Sequence, residues 1–149
     1  MQKLRQLVGL LAMGVVLGVA SPAAAWFEVP ESARAEGALH DGDERVETWL
    51  LVDAEQVAPG DTVRVAVAVS MDQGWHIYWK NPGDAGVPTD IRWRSDQMSF
   101  GPLKWSAPEL FSESGGELTV FGYADRVLLF SEAKVSEEAS GGVTVSAKI

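Results

Sequence analysis

The sequence predicts an all-β protein, an antiparallel β-sandwich of about seven short strands preceded by a signal-peptide helix. Three observations predict it. From Val46 onward, apolar residues recur at alternate positions, the period of a half-buried strand. Clusters of Pro, Gly, Asn and Asp separate the alternating runs. No stretch beyond Ala25 carries the period of an amphipathic helix.

The N-terminus reads differently. Lys3 and Arg5 precede an apolar run of 14 residues, Leu7 to Ala20, and Ser21-Pro22 leads into Ala23-Ala24-Ala25. A cationic start, a short apolar stretch and a small-residue A-x-A site make a secretory signal peptide. The run is shorter than the ~20 residues that cross a bilayer core, so cleavage after Ala25 is expected and no membrane insertion after it. The expected organisation is a signal peptide over 1–25, a flexible leader rich in Glu, Asp, Ala, Gly and Ser over 26–45, and one β-sandwich domain over 46–149.

The elements follow in order. Val46, Thr48, Leu50 and Val52 alternate against Glu47, Trp49, Leu51 and Asp53, a strand with both faces partly covered. Ala58-Pro59-Gly60-Asp61 supplies a reversal, with proline presetting one turn dihedral and glycine accepting the positive φ that follows. Thr62 to Ser70 places Val63, Val65, Val67 and Val69 on one side, β-branched residues suited to a pleated surface. Trp75, Ile77 and Trp79 then alternate with His76, Tyr78 and Lys80, and the larger face is expected to be core. Asn81 to Pro88 is too dense in Pro and Gly for regular structure and is expected as an ordered loop. A strand is expected from Thr89. The prolines after Phe100 keep the next stretch at a sheet edge. Glu117–Tyr123 and Arg126–Val135 read as two strands of a hairpin turning at Ala124-Asp125, and Val143 begins another. Seven strands in ~100 residues is also the immunoglobulin-like count, without the Cys-Trp-Cys hallmark of antibody domains.

Charge and composition exclude several functions. The 149 residues hold 12 Lys or Arg and 21 Asp or Glu, a formal charge of −9; loss of Lys3 and Arg5 with the signal takes it to −11. Nucleic acid is not an expected partner of so acidic a chain. The acidity otherwise speaks to solubility, not to a site. Cysteine is absent, although exported proteins reach compartments where disulfides persist. That removes every thiolate nucleophile, thiolate metal site and redox pair from these residues.

The densest constellation runs from Gly74 to Thr89: Gly-Trp-His-Ile-Tyr-Trp-Lys-Asn-Pro-Gly-Asp-Ala-Gly-Val-Pro-Thr. It resembles the signature segment of the N-terminal periplasmic domain in ScsB-like members of the DsbD family, where a G-W-H-x-Y-W-x-N-P-G-D-x-G-x-P-T pattern recurs. The resemblance extends through Val57-Ala58-Pro59-Gly60, Ile91-Arg92-Trp93, Gly101 to Pro108 and Phe121-Gly122-Tyr123, covering Val46 to Ile149. It implies an immunoglobulin-like sandwich that exchanges disulfides with periplasmic thiol-disulfide oxidoreductases. In a full-length protein it further implies electrons arriving through membrane-embedded and thioredoxin-like domains of the same polypeptide. The sequence departs from the family at the redox cysteine pair, a C-x-x-x-C type segment shortly after the strand resembling Val143–Ile149. A chain that stops within that strand is expected to be a fragment or a truncated product, at most a docking or structural module.

The residues expected to form the docking surface or its loop are Trp75, His76, Tyr78, Trp79, Asn81, Pro82, Gly83, Asp84 and Gly86. Each has a second reading. Four neighbouring aromatics are also what a core packs with. His76 alone makes no case for a general base or a metal ligand, and with Met71 and Met98 it gives an unconstrained thioether set. Asp84 reads as a turn residue whose side chain bonds backbone amides. No Ser-His-Asp set, phosphate loop or metal-spaced cluster appears, so no catalytic residue, metal or cofactor is expected. Two rival functions remain open: an exported binding module stacking sugars or peptides on its tryptophans, and a chaperone-like sandwich whose open edge accepts a partner's strand.

Overall fold

The computed structural model describes residues 29–37 and 39–149. The expected signal peptide and its cleavage site lie outside the described residues. Eleven strands follow in order: β1 Leu39–His40, β2 Asp43–Glu44, β3 Val46–Val52, β4 Thr62–Met71, β5 His76–Gly83, β6 Arg92–Arg94, β7 Met98–Phe100, β8 Glu109–Glu113, β9 Leu118–Ala124, β10 Arg126–Val135 and β11 Ser146–Lys148. Single 3-10 turns lie at Glu31–Ala33 and Ser114–Gly116, and no α-helix occurs among the described residues. Every strand pairing is antiparallel. The architecture is the expected sandwich: a four-stranded sheet ordered β3-β4-β10-β7 and a three-stranded sheet ordered β5-β9-β8, with two-stranded β1-β2 and β6-β11 pieces.

The core follows from the valine alternation of β4. Val67, Val69 and Met71 from β4 and Val127 and Leu129 from β10 meet Tyr123 of β9 and Ile91, with Ile77, Trp79 and Trp75 packed on that cluster. A second cluster of Val63, Val65 and Ala133 continues the core and is covered by Met98, Phe100 and Val145. Trp93 packs against both clusters. Its indole N–H donates to the hydroxyl of Ser131 at 3.0 Å, which satisfies the most buried polar side chain in the sandwich. Ala66 and Ala68, on the other face of β4, are buried too, because Leu51 and Phe130 flank the first and Trp49 and Leu128 the second.

Two expectations need correction. The Ala124-Asp125 connection is no hairpin: β9 pairs with β5 and β8, β10 with β4 and β7, so the chain crosses from one sheet to the other there. Asp125 makes the crossing with a left-handed φ of 57°, and its carbonyl accepts from the Met71 amide at 2.8 Å. The loop expected from Asn81 begins later. β5 continues to Gly83, but Tyr78 pairs with Gly122 and Gly83 with Val120, so four β5 residues bulge opposite Phe121 alone. Pro82 lies in that bulge and has no N–H to give a ladder. Gly83 resumes pairing at φ 92° so close to β9 that a Cβ there would meet the Thr119 carbonyl at 2.5 Å.

Four strands, β1, β2, β7 and β8, were not expected. β1-β2 turns at Asp41-Gly42, with φ of 52° and 88°, the two positive values of a type I′ hairpin. Within the same stretch, read from composition as leader, Arg34 bridges to Trp49 on the edge of β3 and the Ala35 amide donates to the Thr48 carbonyl at 2.9 Å. Arg34 also holds Glu44 at 2.6 Å and Glu47 at 2.7 Å. β7 and β8 close the edges of the two main sheets.

Leu129 is fully buried and Leu110 is 64% exposed on β8. Leu129→Ala is therefore expected to lower the free energy of unfolding in urea by about 2–5 kcal/mol. Leu110→Ala is expected to change it by no more than about 0.5 kcal/mol. Equal effects would contradict this assignment of the core.

Candidate functional site

β5 carries most of the residues singled out in the sequence, and its pleat separates them. Trp75, just before the strand, packs with Ile77 and Trp79 against the core cluster. His76 and Tyr78 stand on the opposite face. Trp75 also lines an open cleft of about 820 Å³, within the size range of ligand sites. Leu39, Val46, Ile77 and Pro88 supply its apolar walls. Arg45, Arg92 and Lys148 bring cations to the rim, and Glu36 and Asp90 carboxylates. His40 meets Trp75 edge to face at 4.8 Å. Asp90 and Arg92 pair at 2.7 Å, and Arg45 lies between Asp43 at 2.6 Å and Asp72 at 3.3 Å. The hairpin β1-β2, the far end of the Pro-Gly loop and β11 thus converge on one tryptophan.

The opposite face carries a polar cluster. His76 Nε2 lies 3.0 Å from Glu113 Oε1, and the Tyr78 hydroxyl donates to that same oxygen at 3.1 Å. Phe111 stacks on the His76 ring at 5.1 Å, and Tyr78 meets it edge-on at 4.9 Å. Nε2 is enclosed and stands within ion-pair distance of that carboxylate, without the geometry of a hydrogen bond to it. Burial, and then the hydrogen bond and negative charge of Glu113, hold the Tyr78 phenol above its ordinary acidity range. Burial alone does the same to Tyr123, whose hydroxyl donates to the Ser106 carbonyl at 2.7 Å.

The remaining residues organise the loop. Asp84 takes the turn role: its carboxylate accepts from the Thr119 amide at 2.9 Å while its own amide donates to the Thr119 carbonyl at 3.0 Å. Gly86, at φ 96°, lies flat against the Tyr78 ring, in space that a Cβ would occupy. Asn81 is exposed and Pro82 half-buried in the bulge. Trp79 is turned inward, and Lys80 lies over its ring at 5.1 Å. The nine residues therefore form two surfaces with a strand between them. Sequence reasoning missed Glu113 and Phe111, which sit in a run, Glu109 to Glu113, with no apolar alternation. It also missed the hairpin wall of the cleft, for which Asp41-Gly42 was the available signal.

The model of the family described as thiol:disulfide interchange protein DsbD, N-terminal, matches residues 48–149. The chain belongs to this DsbD N-terminal family. Its fold is similar to the crystal structure of the N-terminal periplasmic domain of ScsB from Proteus mirabilis, with a TM-score of 0.51 and 22% identity over 78% of this chain. The chain spans 45% of the length of that protein. Among curated proteins no sequence matches it significantly. Within the DsbD family pattern this chain has no cysteine, so its 149 residues include no thiol to exchange. His76, Met71 and Met98 do not gather: Met71 is in the first core cluster, Met98 covers the second, and His76 faces outward. The five described tryptophans are all partly buried, and four of them, Trp75, Trp79, Trp93 and Trp105, pack on the core. No helix among the described residues is long and apolar enough to cross a membrane.

The two tyrosines give a pH signature. In the folded chain both phenols are expected to ionise above the usual value of about 10 in an ultraviolet titration of tyrosinate. A raised folded value favours the neutral form. The stability it contributes is thus present below the unfolded value and lost as pH rises through the folded one. Glu113→Gln removes a charge beside Tyr78 and is expected to make one of the two tyrosines more acidic while leaving the other in place.

Proposed function

We propose that this chain is a periplasmic docking module of thiol-disulfide interchange, receiving a redox partner in the Trp75 cleft and contributing no sulfur of its own. Membership of the DsbD N-terminal family over residues 48–149, in a chain whose residues hold no cysteine, is the observation that carries this reading. The partners are periplasmic thiol-disulfide oxidoreductases and, in a full-length protein, its own membrane-embedded and thioredoxin-like domains. Export is by the signal peptide, with cleavage after Ala25.

The cleft suits the role. A half-buried tryptophan between aliphatic walls offers a rigid apolar anchor at small entropic cost, the chemistry of an interface hot spot. The rim of paired charges fixes the register and orientation of an incoming segment more than it adds affinity. Thr89 stands at the end of the loop, where its amide donates to the Tyr78 carbonyl at 3.3 Å, so the wall that Pro88 and Thr89 make is tied to β5. Trp75, Pro88 and Thr89 are the docking residues of this reading. Asn81, Pro82, Gly83, Asp84 and Gly86 position the loop.

Calorimetric titration with a purified thioredoxin-like periplasmic oxidoreductase tests the proposal. Saturable binding is expected, weakened by about 2 kcal/mol or more in Trp75→Ala, a hot-spot loss, and unchanged in Leu110→Ala on β8. Absence of binding, or binding indifferent to Trp75→Ala, would contradict it. Mass spectrometry of the exported protein is expected to find Trp26 at its N-terminus.

A further inference from the structure

The outer face of the four-stranded sheet has no part in the docking reading, and its chemistry is not that of an ordinary sheet surface. An antiparallel sheet that faces water alternates its polar side chains outward. Here β3, β4 and β10 send apolar ones out in three adjacent rows: Trp49 and Leu51, Ala66 and Ala68, Leu128 and Phe130. We propose that this face is the seat of the chain's own Trp26-Phe27, the two residues that open the exported protein.

The shape of the face comes first. Ala66 and Ala68 make a floor, at 9% and 6% exposure, and the half-buried Trp49, Leu51, Leu128 and Phe130 make walls on either side. Toward Asp53 the floor opens into a groove of about 250 Å³ between Leu51, Ala66, Leu128 and Phe130. The Asp53–Arg64 pair, at 3.0 Å, borders its end. The volume lies below the roughly 300–1,000 Å³ of small-molecule and cofactor sites, so side chains are the better fit.

The path of the leader names the occupant. Arg34 bridges antiparallel to Trp49, and the Ala35 amide donates to the Thr48 carbonyl. Followed backward from Arg34, the chain therefore runs along β3 in the direction of Val52, toward the groove. The 3-10 turn at Glu31–Ala33 stays beside β3. Pro30, Glu31 and Ser32 are exposed but Val29 is half-buried, so the chain has returned to the protein surface where the described residues begin.

Residues 26–28 lie outside the described residues, and their reach suffices. Four extended residues, Trp26 to Val29, span up to about 13 Å. The four steps of β3 from Trp49 to Asp53 cover about the same length. Over 26–45 the leader holds no Phe, Tyr or Trp other than Trp26 and Phe27, so its aromatic surface is gathered at this one place. Each ring has roughly 150–250 Å² to remove from water, and so short a tether keeps the pair at high effective concentration beside the groove.

Thermal unfolding of the exported chain, followed by circular dichroism, tests the proposal. The paired substitution Trp26→Ala and Phe27→Ala is expected to lower the melting temperature by about 4 °C or more. Leu128→Ala, in the groove wall, is expected to lower it as well, and the combination by less than the sum, because residues in contact couple. A second measurement uses the absence of native cysteine. Phe27→Cys with Ala66→Cys is expected to form an intramolecular disulfide about 10-fold or more faster than Phe27→Cys with Ser99→Cys, an exposed position on β7 of the same sheet. Unchanged melting in the paired variant, strict additivity with Leu128→Ala, or equal rates for the two cysteine pairs overturns the proposal. So does a disulfide that joins two chains instead of closing within one, which would give the groove to a second copy. Neither measurement involves a redox partner, so failure here and failure of docking at Trp75 are read separately.

Discussion

The pleat of one strand divides the chemistry of this protein. In a β-strand, neighbouring side chains leave on opposite faces, and β5 places its bulky apolar residues on one face and its polar aromatics on the other. Burial of Ile77 and Trp79 against β4, β9 and β10 fixes which face points inward. A one-residue slip would turn both indoles out and His76 and Tyr78 into the core, so the register is strongly specified. Everything functional follows from that choice: Trp75 becomes a wall of the cleft, and His76 and Tyr78 become an outer surface facing Glu113.

The rest of the molecule keeps β5 in this attitude. The Asp125 crossing carries the chain from β9 to β10, which lets two consecutive strands line opposite walls of the same core. Gly122 opposite Tyr78 brings β9 so close to β5 that a Cβ there would strike the Ile77 carbonyl. The bulge over Trp79 to Pro82 then bends the strand, and Asp84 re-anchors it to Thr119. The Pro-Gly loop is ordered by specific bonds at both ends, not by regular structure within it.

Strands whose apolar period is set by burial were legible in the sequence. β4 and β10 appeared with almost their final bounds, β4 because valine recurs at alternate positions along it and β10 because it opens on the apolar run Val127 to Phe130. Strands set by partners were not. β8 contributes Phe111 and Glu113 to its covered face, and a glutamate that serves as an acceptor leaves no hydrophobic period to read. The β9–β10 connection looked like a hairpin because a two-residue turn signal says that the chain reverses, not which sheet it enters. The alternation of Trp75, Ile77 and Trp79 with His76, Tyr78 and Lys80 was legible in the sequence, but the partner of the outer face, Glu113 on β8, was not.

The account comes down to whether the Trp75 face receives a partner. Amide hydrogen exchange of the chain, with and without a saturating thioredoxin-like oxidoreductase, tests this most directly. The account predicts new protection confined to β1-β2, Trp75 and Pro88 to Asp90, with the amides of β8 unchanged. Protection centred on β8, or none at the cleft while the complex is formed, would contradict it.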